Sequence, residues 1–129
     1  MLSKRPYLLP AWYHWMVDNG FTPHIVVNAT LPEVKVPIPY VQEGKITLNI
    51  SPKAVENLQI TLYVLEFAAE FGESCEVESI YIPIKAVQAI YAPENGEGVW
   101  FKDEDGELFP EPPHRSLNDP RKPQLKIVE

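Results

Sequence analysis

Cysteine is almost missing from this chain: Cys75 is the only one in 129 residues. That excludes an intramolecular disulfide and suits a reducing compartment. Histidine is scarce too, and His14, His24 and His114 show no metal-ligand spacing. A basic excess is lacking at both ends. Residues 1–101 carry 6 basic and 11 acidic side chains, residues 102–129 carry 5 and 7, and the formal net charge is −7. Nucleic-acid binding draws much of its affinity from phosphate neutralisation, so nucleic acid is disfavoured as a partner. No run of about 18 apolar residues occurs, and Pro10, His14 and Asp18 interrupt the N-terminal apolar stretch. Neither a membrane span nor a signal segment is expected, and the chain reads as soluble and cytoplasmic.

Catalytic constellations are equally thin. Cys75 lies between Glu73 and Glu76, which would raise its pKa, the wrong direction for a nucleophile. Gly96-Glu97-Gly98 has no following Lys-Ser/Thr pair and is no phosphate loop. The pairs Glu66/Glu70 and Glu94/Glu97 read as solvated charge rather than an acid and a base. No catalytic residue, metal or cofactor is assigned, and an enzyme is not expected.

What is present is a hydrophobic content of 45%, enough for one domain with a real core. Pro6 to Asn19 reads as a helix closed by Asn19-Gly20. Its regular part starts near Leu8 or Leu9, or kinks at Pro10. Its apolar arc is about twice the usual 100° stripe. Leu8, Ala11, Trp12 and Trp15 fall on one side; Leu9, Tyr13, Met16 and Val17 continue round from them. Either loops cover the surplus, or one side meets the domain and the other a second copy of the chain. The residues assigned to such an interface are Leu9, Trp12, Tyr13 and Met16.

After Pro23 the pattern changes to period two. His24–Ala29, Ile46–Ile50, Leu58–Leu62, Leu65–Phe71, Ile80–Ile84, Val87–Tyr91 and Val99–Phe101 read as short strands. Val34, Val36 and Ile38 alternate with Lys35, Pro37 and Pro39, and the two prolines suit an edge or a bulge rather than a central strand. Ser51-Pro52 reads as a Ser-capped helical turn. The fold class is therefore mainly β with one N-terminal helix (α+β), a small barrel or two-sheet fold. On Leu65–Phe71, small Ala68 and Ala69 leave room beside the backbone. At a sheet edge this strand could pair with an extended peptide; otherwise it is an ordinary core strand.

From Lys102 the chain is acidic and Pro-rich, and is expected to be disordered. It ends Gln124-Leu125-Lys126-Ile127-Val128-Glu129, which reads either as a peptide for another protein's groove or as an extra strand of its own domain.

Several stretches together resemble the stringent starvation protein B (SspB) family. They are Arg5-Pro6-Tyr7-Leu8-Leu9, Asp18-Asn19, Thr22-Pro23-His24, Val26-Val27, Leu48-Asn49-Ile50 and Asn57-Leu58. Phe67 with Ala69 and Phe71, Ala89-Ile90-Tyr91-Ala92, Glu94-Asn95-Gly96 and the terminal Arg121, Pro123, Leu125, Lys126 and Val128 complete the match. The resemblance implies an Sm-like β fold, a homodimer through the helix, and an adaptor that hands ssrA-tagged proteins to the ClpXP protease. Carried over residue by residue, it implies a peptide groove around Val26, Leu58, Phe67, Ala68, Ala69 and Phe71. It further implies a docking peptide, Leu125, Lys126, Ile127 and Val128, for the N-terminal domain of ClpX. The expected division is a binding and dimerisation domain over 1–102, a linker over 103–120 and the docking peptide over 121–129. The alternative is an Sm-like barrel that binds RNA, which would need a basic or aromatic platform.

Overall fold

The structure is a computed structural model, and it describes residues 1–72, 76–102 and 108–110. Helix α1 spans Arg5–Asp18. It starts earlier than expected and runs unbroken through Pro10. The first four helical N–H groups lack intrahelical partners in any case, so Pro6 costs nothing there. Pro10 forfeits one hydrogen bond, and the buried contacts of Leu9 and Met16 on the same helix outweigh it. The C-terminal stop is as expected. Gly20 adopts φ +75°, Phe21 N–H donates to the Met16 carbonyl at 2.8 Å, and Gly20 N–H donates to that of Val17 at 3.1 Å. This closure needs a residue at ease with positive φ.

Among the described residues seven strands follow: β1 (His24–Asn28), β2 (Lys45–Asn49), β3 (Glu56–Ile60), β4 (Val64–Phe71), β5 (Glu76–Pro83), β6 (Val87–Tyr91) and β7 (Gly98–Trp100). They form two antiparallel sheets, ordered β2-β1-β6-β7 and β3-β4-β5. Among the described residues the sheets do not close into a barrel, so of the two expected forms the two-sheet one is present. Strand β1 lies between two others and is buried along its middle. Strand β2 sits at an edge and alternates buried Ile46 and Leu48 with exposed Lys45, Thr47 and Asn49. Between the sheets and α1 lies one core of Leu9, Met16, Ile25, Leu48, Leu65 and Ile82 with their neighbours.

One expected element differs. Val34–Ile38 is not a strand. It makes one bridge, Lys35 to Tyr81, and then a 3-10 turn at Ile38–Tyr40, because its prolines cannot donate to a ladder. Ser51–Val55 is the single helical turn expected, closed by backbone bonds from Ala54 and Val55 to the Ser51 carbonyl. Strand β5 begins four residues before Ile80, where polar Glu76–Ser79 pairs in full register with β4.

Leu108–Pro110, inside the stretch read as a linker, lies against the body. Ser3 N–H donates to the Leu108 carbonyl at 2.7 Å, and Leu108 N–H returns a bond to that of Met1 at 3.1 Å.

Candidate functional site

Strand alternation sorts β4 into two faces. Leu65 and Phe67 face the core, with Ala69 and Phe71 partly buried against it. Glu66, Ala68 and Glu70 take the opposite face. Across the ladders Ala68 is opposite Glu56 on β3 and Ser79 on β5, and Glu70 is opposite Val77. An open cleft of about 490 Å³ lies here, within the usual size of ligand sites. Its walls are the Pro52–Glu56 turn, Ala68–Glu70 and Val77. Strand β3 is an edge of its sheet, so its outward backbone groups have no ladder partner.

A bulge shapes this edge. The β3–β4 register slips between Glu56 and Gln59, and Asn57 adopts φ +57°. Asn tolerates this conformation better than most residues, and bulges re-aim side chains at sheet edges. Glu56 thereby reaches the cleft.

Of the residues assigned to the groove, Ala68 and Ala69 line it. Phe67 is 4% exposed and packs in the core, so it offers no contact surface. Val26 is 8% exposed and stands on β1 of the other sheet. Leu58 is half-buried against the core, and Phe71 stacks on Tyr40 with ring centroids 5.7 Å apart, away from the cleft lining.

The helix divides into two sides. Leu9 and Met16 have no exposed surface, and Tyr13 is 9% exposed in the same core. Burial also pushes the Tyr13 phenol above its ordinary pKa. Of the four residues read as an interface between copies, these three pack in the subunit's own core, and Trp12 lies on the outward side. The outward apolar set is Leu8, Ala11, Trp12 and Trp15, which with Glu97 lines a shallow groove of about 330 Å³. Trp12 meets Trp15 edge-on at 5.8 Å, and Trp15 rests on Phe21 at 5.6 Å.

Among the described residues no three His, Cys, Asp or Glu side chains gather to hold a metal, and no helix is long and apolar enough to cross a membrane. Glu94 is held by Thr22, whose N–H and Oγ1 both donate to its carboxylate, and these bonds pull its pKa below the ordinary value. Cys75 and the expected docking residues Leu125–Val128 lie outside the described residues.

Fold and cleft together define a small, mainly β protein: two open antiparallel sheets behind one helix, with a cleft at the edge of the smaller sheet. The chain belongs to the stringent starvation protein B family, whose sequence profile matches residues 3–126. A "Stringent starvation protein B homolog" from Haemophilus influenzae is 53% identical over 103 residues, covering 79% of this chain and 67% of that protein.

Proposed function

We propose that this chain is a delivery adaptor. The cleft beside β3 takes ssrA-type degradation tags as extended peptides. Leu125–Val128 docks on the N-terminal domain of ClpX, and the outward side of α1 pairs two copies into a homodimer. The observation that carries the reading is the combination of a small-residue floor, Ala68 and Ala69, with an adjacent unpaired strand edge. Backbone pairing along such an edge supplies affinity for an extended segment of almost any sequence, and the neighbouring side chains supply selectivity.

An adaptor of this kind needs no catalytic group. It raises the local concentration of a substrate at the protease. Between Leu108, bonded to Ser3 and Met1, and Leu125 stand 16 residues; a flexible tether of that length spans roughly 20–25 Å, and proline extends it. Membership of the family supports this division into a binding body and a docking tail.

Fluorescence anisotropy with an ssrA peptide, run beside a ClpXP degradation assay, tests the proposal. Deleting Gln124–Glu129 should abolish assisted degradation and leave peptide binding unchanged. Equal loss of both, or no binding by the full chain, would reject it.

A further inference from the structure

Ala68 is the smallest side chain on the outer face of β4, and two carboxylates stand beside it. Glu56 is directly opposite across the β3–β4 ladder, and Glu70 is two residues along the same face. Opposed side chains in an antiparallel pair are about 5 Å apart at Cβ, and alternate residues on a strand about 7 Å. Both carboxylates line the cleft. Glu66 continues the row on the other side of Ala68. Neither Glu56 nor Glu70 pairs with a cation among the described residues, and Lys53, the one basic side chain lining the cleft, forms no ion pair there.

Two like charges around a small-residue floor raise the local negative potential, and a cation seated between them is attracted by both. Val77, opposite Glu70 and 62% exposed, offers apolar surface for the stem of a long basic side chain. Resting on the reading of this cleft as a peptide site, we infer that it selects extended peptides with Lys or Arg over Ala68 and rejects Asp or Glu there. Glu56 and Glu70 are the specificity-determining residues. Because an extended peptide presents alternate side chains at the same spacing as the strand, the preference is confined to one or two positions of the ligand.

The test uses fluorescein-labelled peptides built on one neutral scaffold, with a single Lys or a single Asp stepped through successive positions. They are titrated into the full chain at low salt. At one position the Lys peptide should bind roughly tenfold more tightly than the Asp peptide, and the gap should close as salt is added. Glu70 is exposed, so Glu70→Lys should fold normally and invert the Lys-over-Asp preference at that position. Equal binding of Lys and Asp peptides at every position overturns the charge assignment and leaves the cleft reading standing. So does a preference untouched by Glu70→Lys. Failure of every peptide, the neutral one included, removes the cleft reading itself.

Discussion

The guanidinium of Arg5 lies 5.2 Å from the ring centroid of Phe109. On its other contact it is 5.5 Å from the ring of Phe101. Its Nη1 donates to the carbonyls of Lys85 and Val87 at 2.9 and 3.1 Å, and Nη2 donates to that of Lys102 at 3.4 Å. One residue at the start of α1 therefore ties together the β5–β6 connection, the end of the body and Phe109. Arg5 is 2% exposed and its bond to the Val87 carbonyl is buried, so its removal leaves that acceptor unpaired away from water. Arg5→Met should cost about 2–4 kcal/mol, read as a lower midpoint in urea. Arg5→Lys should recover only part of the loss, because an ammonium cannot match the fork. A midpoint unchanged in Arg5→Met would show that the carbonyls find other partners.

Ala68, rather than Ala69, is the residue with which to block the cleft. Ala69 is partly buried against the core, so enlarging it perturbs packing as well. Ala68 faces outward between Glu56 and Ser79. Ala68→Gln should lower ssrA-peptide affinity by at least tenfold, about 1.4 kcal/mol, with the melting temperature unchanged. Normal binding by this variant would move the site elsewhere.

Self-association is best tested at Ala11, which is exposed and lies in the groove on the outward side of α1. Arg has nearly the helix propensity of Ala, so Ala11→Arg should leave the subunit's stability intact. Light scattering should give twice the 14.7 kDa chain mass for the unaltered protein and the single mass for the variant. A monomer for both at the highest concentration tested would show that this face is not where copies meet.

Glu94 makes acid sensitivity predictable in sign. Its pKa is lowered chiefly by the Thr22 hydroxyl and then by the Thr22 N–H. A carboxyl whose folded-state pKa lies below its unfolded value stabilises the folded form above the unfolded value. That contribution disappears as pH falls through the folded value. Glu94→Ala should therefore destabilise the protein slightly at pH 7, and the difference from the unaltered chain should vanish in acid. A difference that persists unchanged to pH 3 would mean that the clasp between Thr22 and Glu94 contributes nothing.

Much of the fold was legible because local rules and tertiary demands agree. The alternation in Ile46–Ile50 and Leu65–Phe71 matches strands with one buried face, and Asn19-Gly20 ends the helix where it should. Val34–Ile38 misled, since alternation of apolar residues with prolines mimics a strand pattern while lacking its donors. The polar start of β5 gave no apolar signal, because its pairing with β4 comes from backbone register rather than burial. In the cleft, Ala68 and Ala69 were readable as small residues. The Pro52–Glu56 wall was not, since it comes beside Ala68 only through the pairing of β3 with β4.

By itself the sequence determined the chemistry of each segment: a helix apolar on two sides, strands of period two, a scarcity of catalytic groups and an acidic surface. Tertiary structure alone decided which side of α1 is spent on the core. Leu9, Tyr13 and Met16 share one spacing, and Leu8, Trp12 and Trp15 share the same spacing one residue earlier. Hydrophobicity does not distinguish the two sets. Only the surface packed against the helix does, because burial is a property of a pair of surfaces and a single segment carries just one of them.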